Sequence, residues 1–343
     1  MRTTTVGIVS IGDMGLGMAK LLQAYGYRVV TVAEGRSKHT LARIQAAAIE
    51  ALSSDQELVV QADYVLSIVP PRDAFATAER IAGACRLSET ATRRDALEDV
   101  NGQTNRSPLF FLDLNATPAR LAEETAVLFD EPAPEPGREL VMSTGSFVRC
   151  HFLDGGIIGG PPSQTSQDGK WKKPSVVLSG AADQPPTFAP LADVLNLKLV
   201  SPRIGAASTL KLSFAALTKG LTALSILSVS TAQGEGLLPE LLDHLDRYSP
   251  QTAALARHGV TSMSPKAYRW VDEMRGIGEA FDREGGWDGV GSRIYGGFAE
   301  IYRSVAEDTV LGQERVEARH RGTSVEDAAE IIAQRDREHQ GQQ

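Results

Sequence analysis

Near its start the chain has a short run rich in Val and Ile, Thr5 to Ile11, which Gly12-Asp13-Met14-Gly15 stops. Behind the glycines the apolar positions fall at Met14, Met18, Leu21, Leu22 and Tyr25, the spacing of one helix face, and Gly26 closes the segment. Further β-branched or aromatic runs stand at Arg28 to Val32, Ala62 to Val69, Leu109 to Leu112, Phe152-Leu153 and Ser175 to Leu178. Strands that alternate with helix-patterned stretches need crossover connections, and crossovers pair strands in parallel. The first part of the chain is therefore expected to form an α/β doubly wound sheet.

After about residue 203 the pattern changes. Gly205 to Gln233 is rich in Ala, Leu and Ser with few breakers, which predicts one long, largely buried helix. Leu237 to Tyr248, Pro265 to Arg283, Tyr295 to Leu311 and Val325 to His339 carry helical spacing as well. The expected division is an α/β domain over 1–202 and an all-α C-terminal domain over 203–343. Two polar stretches, Leu87 to Ser107 and Asp130 to Gly137, read as insertions in the form of solvated loops, the second because its prolines forbid regular structure.

A length of 343 residues suits two domains, and 42% hydrophobic with 23% charged residues is the composition of a folded chain. A net charge of −8 and a pI near 5.4 speak against a nucleic-acid surface. Lys219 interrupts the richest apolar stretch, Phe214 to Val229, so no membrane span is expected. The opening MRTTTVGIVSIG reaches a glycine turn before a signal-peptide core forms, and a cytoplasmic location is the expectation. Cys85 and Cys150 match no metal or redox spacing and no two histidines pair at HxH or HxxxH, so no metal site is expected.

The glycine turn has the context of a dinucleotide site. In GxGxxG the first glycine makes the turn, the second admits the pyrophosphate and the third lets helix pack on strand. Ser10, Gly12 and Gly15 hold these places, so the first glycine is missing. A strand before, a helix after, and Glu34 nineteen residues past Gly15 supply the rest of a Rossmann-type pattern. Amides at Asp13, Met14 and Gly15 would face the pyrophosphate at the positive helix end. Glu34 suits the ribose hydroxyls of NAD, whereas Arg36 and Ser37 suit the 2′-phosphate of NADP; NADP is the expectation, with NAD open.

Gly7-Ile8-Val9-Ser10-Ile11-Gly12-Asp13-Met14-Gly15-Leu16-Gly17-Met18-Ala19 resembles the GxIGLGxMGxxMA opening of the β-hydroxyacid dehydrogenase and 6-phosphogluconate dehydrogenase superfamily. Val69-Pro70 looks like the family's VP element, which contacts the adenosine side of the cofactor. Asp113-Leu114-Asn115-Ala116-Thr117-Pro118 stands where the family has DxSTxxP, and Asp154 to Gly160 (DGGIIGG) is similar to its DAPVSGG substrate loop, which brings in Gly159 and Gly160. Gly205 to Lys211 (GAASTLK) takes the place of GxGxxxK, whose lysine is catalytic. Ala215 to Leu224 and Pro265 to Met274 resemble a subgroup with a distinctive phosphogluconate-dehydrogenase-type C-terminal domain.

The resemblance implies an NADP-dependent oxidoreductase that interconverts a hydroxyl and a carbonyl on a small, carboxylate-bearing substrate, with Lys211 as acid/base, and a homodimer. Asn115 is the expected orienting group beside the nicotinamide, because its amide both donates and accepts. Ile158 replaces the loop's serine and Ala215 the usual asparagine of KxxxN, which weakens the case for simple 3-hydroxyacids. Arg269 and Glu273, four apart on a helix, are either an ion pair alone or a receiver for an anionic substrate group. Lys219 is expected to face water or a helix partner. An imine reductase-like enzyme and a cofactor-binding module without turnover remain as alternatives.

Overall fold

The computed structural model describes residues 3–99, 108–130, 147–165, 169–315 and 318–340. They divide into two compact units, Met1–Lys211 and Leu212–Gln343.

Among the described residues the first unit has ten strands: β1 (Thr5–Val9), β2 (Arg28–Val32), β3 (Glu50–Leu52), β4 (Tyr64–Ser67), β5 (Leu109–Asp113), β6 (Cys150–Ile158), β7 (Ser163–Gln164), β8 (Trp171–Lys172), β9 (Ser175–Ser179) and β10 (Leu197–Ser201). Eight form one sheet in the order β10-β9-β6-β5-β4-β1-β2-β3, while β7 and β8 make a separate hairpin. The helices of this unit are α1 (Asp13–Ala24), α2 (Lys38–Ala46), α3 (Asp55–Gln61), α4 (Ala74–Arg86), α5 (Ser88–Asp99), α6 (Ala119–Val127) and α7 (Phe188–Leu195). The order reverses at β1, with β2 on one side and β4 on the other, which is the switch point where doubly wound sheets receive ligands.

Helices cover both sheet faces, so β1, β4 and β5 read as continuous apolar runs rather than alternating ones. Successive side chains still go to opposite faces. Phe110 and Leu112 join one core with Ile8, Met18, Leu21 and Leu153, while Leu109 and Phe111 join the other with Val30, Val65 and Ile81.

Several features of this unit depart from the sequence expectations. Parallel pairing fails at one place, because β6 and β9 run antiparallel and β9 and β10 then run parallel to each other. The short β3 and the half-exposed β10 carry too little apolar signal to be read as strands. Much of the Leu87 to Ser107 stretch is helix rather than loop, because α5 buries polar side chains: Thr90 and Arg94 lie inside, and one Arg94 nitrogen donates to the Ala62 carbonyl at 2.7 Å past the end of α3. Residues 100–107 and 131–137 of the two expected insertions lie outside the described residues.

The long helix α8 (Ala206–Gly234) begins in the first unit and continues into the second. The second unit adds α9 (Leu238–Tyr248), α10 (Pro250–Met263), α11 (Ala267–Arg283), α12 (Val290–Glu307) and α13 (Val325–Gln340) around a core that includes Ile226, Val260, Met274, Ile277, Tyr302 and Ile332. Of these helices α10 is the one the apolar spacing does not announce, although Ser249-Pro250 is a good helix start. By length and composition α8 is apolar enough to cross a membrane, contrary to the reading of Lys219 as an interruption; half of its most apolar window is buried within the protein.

Candidate active site

The carboxyl ends of β1, β4 and β5 lie in register as Val9, Ser67 and Asp113, and Asp154, in the middle of β6, stands level with them. Ser179 on β9 continues the row. Everything assigned to cofactor or substrate in the first unit gathers around this edge.

Beyond Val9 the chain turns through Ser10, whose φ of +76° is the left-handed conformation that the missing first glycine would adopt without strain. Gly12 is the N-cap of α1 and supplies no side-chain cap, and a Cβ placed on it would meet nothing within 4 Å. A Cβ on Gly15 would instead lie 2.2 Å from the Ser10 carbonyl oxygen, so the helix can sit on the turn only with glycine there. The free amides of this helix end and the clear space at Gly12 fit a pyrophosphate. Asp13, an unwelcome charge at such a place, is neutralised by Arg43 at 2.7 Å. Met14 packs against the core.

Glu34 and Arg36 line a cavity of about 540 Å³ with Ser54, Gln56 and Arg80 among others. Arg80 is held in it by Asp55 at 2.9 Å. Arg36 is half-buried and Glu34 exposed, so both a hydroxyl acceptor and a phosphate partner face one space. Ser37 has a structural task as the N-cap of α2, accepting from the Thr40 amide. Val69 and Pro70 follow β4 beside the glycine turn, since the Ile68 amide donates to the Val9 carbonyl at 3.2 Å.

Asn115 is buried and its amide is engaged within the protein. Its oxygen accepts from the Val69 amide at 2.7 Å, and its nitrogen donates to Ser67 Oγ at 2.9 Å and to Asp113. It ties the ends of β4 and β5 together. Burial pushes the Asp113 carboxyl up to about 7, the neighbouring Asp154 charge adds to the rise, and the Asn115 hydrogen bonds oppose it. Burial raises Asp154 too, against hydrogen bonds from Ser208, Ser179 and Gly205.

Asn115 forms an antiparallel bridge with Gly156, and Gly156 lies directly under Lys211: a Cβ there would come within 2.7 Å of the Lys211 Cβ. The half-buried Lys211 is thereby seated on β6 beside the Asn115 bridge, on the same sheet as the glycine turn. Gly159 and Gly160 are exposed beyond the end of β6.

Arg269 and Glu273 belong to the second unit, and the expected pairing between them is corrected. Glu273 is taken by Lys219, whose ammonium also lies 4.8 Å from the Trp270 ring centre, while the exposed Arg269 lies over Tyr268. Of the two placements expected for Lys219, the helix partner holds and water does not: an anion and an aromatic face of α11 shelter it. Sequence reasoning also missed the polar contacts of Asp154, Ser179 and Ser208. Two acidic residues following apolar runs, Asp113 after Leu109 to Leu112 and Asp154 after Phe152-Leu153, were the available signal.

The strand order and the glycine turn at the switch point define a Rossmann-type sheet followed by a helical domain. Residues 5–89 match the family model described as NADP oxidoreductase coenzyme F420-dependent, and residues 232–305 match a domain of unknown function, DUF1932. Solved structures with this fold include 3-hydroxyisobutyrate dehydrogenase from Salmonella typhimurium, with a TM-score of 0.60 at 15% identity over 96% of this chain and 99% of that one. The Mycobacterium tuberculosis 3-hydroxyisobutyrate dehydrogenase has a TM-score of 0.58 at 16% identity over 96% and 98% of the two chains. A conserved hypothetical protein from Sinorhizobium meliloti 1021 has a TM-score of 0.58 at 18% identity over 97% of each. No curated protein matches the sequence significantly. The fold is that of the hydroxyacid dehydrogenases, in agreement with the resemblance read from the motifs.

Proposed function

We propose that the protein is an NADP-dependent oxidoreductase that interconverts a hydroxyl and a carbonyl on a small carboxylate-bearing substrate, with Lys211 as the acid/base. The observation that carries this reading is the seat of Lys211 on Gly156, beside Asn115, on the sheet whose switch point carries the uncapped glycine helix. The NADP oxidoreductase family match over residues 5–89 and the hydroxyacid-dehydrogenase fold support the chemistry.

When bound, the nicotinamide ring supplies or accepts the hydride. The chain's own residues do the rest. Amides of the first turn of α1 would hold the pyrophosphate, and Arg36 and Glu34, which line one cavity, would receive the ribose end, where Arg36 favours a 2′-phosphate. Lys211 gives a proton to the substrate oxygen during reduction and removes it during oxidation. Asn115 acts by fixing the loops after β4 and β5.

Turnover of 3-hydroxyacids with NADP⁺, and of the matching aldehydes and ketoacids with NADPH, tests the reading. Lys211→Ala is expected to lose about a hundredfold or more in kcat while keeping NADPH-induced thermal stabilisation. Full activity in that variant would refute the role of Lys211, and far greater stabilisation by NADH than by NADPH would refute the role of Arg36.

A further inference from the structure

The first turn of α8 is fastened to β6 at two points. Asp154 and Gly156 are two apart on a strand and face the same side of the sheet, while Ser208 and Lys211 are three apart on a helix and share its face. The two pairs meet. Asp154 accepts the Ser208 amide at 3.0 Å and the Ser208 hydroxyl as well, and Gly156 leaves the space that the Lys211 stem fills. Ser179 completes the clamp by donating to Asp154 at 2.9 Å and accepting from the Ala207 amide at 3.0 Å.

We infer that Asp154 is a positioning residue that sets the height and rotation of Lys211 on β6, acting through Ser208, with Gly156 as the matching recess. The inference rests on the reading of Lys211 as the acid/base. Asp154 is 1% exposed and its oxygens are engaged by Ser179 and Ser208, so it acts through the helix rather than on substrate. A buried side chain that meets both the amide and the hydroxyl of one residue in the first turn of a helix is a two-point anchor, stiffer than a single exposed cap. Because each helical residue adds 100° and 1.5 Å, fixing Ser208 fixes the direction from which Lys211 departs.

The test reads the lysine itself. In the full chain, acetylation of Lys211 by an N-hydroxysuccinimide ester is timed by mass spectrometry against the exposed Lys20 and Lys198, beside NADPH affinity and, on the substrates above, kcat and KM. Asp154→Ala is expected to change the Lys211 rate by about fivefold or more and to lower kcat at least tenfold, with NADPH affinity and KM within about twofold. Asp154→Asn keeps an acceptor for Ser208 and is expected to stay within about twofold of the parent. Gly156→Ala leaves the cap alone but displaces the stem, and it should alter the Lys211 rate even if Asp154→Ala does not fold. An unchanged Lys211 rate in folded Asp154→Ala or Gly156→Ala overturns the inference, as does Asp154→Asn behaving like Asp154→Ala. Labelling reports position and not turnover, so a failure of Lys211→Ala to lose activity would refute the proposed function while leaving this readout intact.

Discussion

Two helices begin at the carboxyl edge of the same sheet, and they treat their N-termini in opposite ways. The first amides of α8 are filled from inside by Asp154 and Ser179, both buried. Those of α1 meet a glycine cap with no side-chain acceptor. Each helix start carries the same partial positive charge, so the difference lies in who answers it. A filled end holds a helix in place, whereas an open one can receive an external anion.

The carboxylates on β5 and β6 sharpen the contrast and give the largest expected effect. Asp154 has a helix end behind it, while among the described residues the hydrogen bonds to the Asp113 carboxyl come from Asn115. Burial therefore dominates at Asp113, and its carboxyl rises from 3.8 to about 7. A folded pKa above the unfolded one means that the folded state holds the proton more tightly between those values. The contribution of this carboxyl to stability is then greatest below about pH 4, falls as pH rises towards 7 and levels off above it, a span of about 4 kcal/mol at most. Asp113→Asn retains an acceptor for Asn115 and is expected to flatten this slope, leaving the variant more stable than the parent at pH 8. Denaturant unfolding at pH 5 and pH 8 checks it, and an unchanged slope would contradict the assignment.

The comparison can be broken by filling the open end. There is room for a side chain at Gly12, so Gly12→Asp would supply α1 with the kind of carboxylate that α8 already has. NADPH affinity is expected to fall about a hundredfold, ~3 kcal/mol, while thermal stability stays level or rises slightly. Fluorescence titration beside a melting curve separates the two effects. Unchanged affinity would mean that the cofactor does not use these amides.

How much of this was visible in the sequence depended on whether a residue acts through its neighbours in the chain. The glycine turn, α1 and the buried strands are local patterns, and they were legible. So was Lys211 as a candidate, through its motif. The clamp of Asp154 on Ser208 spans 54 residues, and only the register of β5, β6 and β9 brings its members together. Lys219 and Glu273 are likewise 54 apart, so a four-residue spacing favoured the wrong partner for Glu273. The antiparallel placement of β9 could not be read either, because an apolar run is the same in both directions.

The smallest expected effect lies at Ser10, where the sequence departs from the glycine pattern and the backbone does not. A left-handed φ of +76° costs a residue with a side chain roughly 1 kcal/mol, and Gly15 fixes that geometry by packing against the Ser10 carbonyl. Ser10→Gly removes the strain but gives the unfolded chain more freedom, which offsets part of the gain. The expected result is a stabilisation of up to about 1 kcal/mol, a rise of roughly 2–4 °C in Tm, with NADPH affinity unchanged. Ser10→Val makes the converse case, because a β-branched residue tolerates this conformation worst, and it should lower Tm below that of the parent. If the valine variant melts with the parent, the turn has another conformation available, and the open N-terminus of α1 would not be preformed.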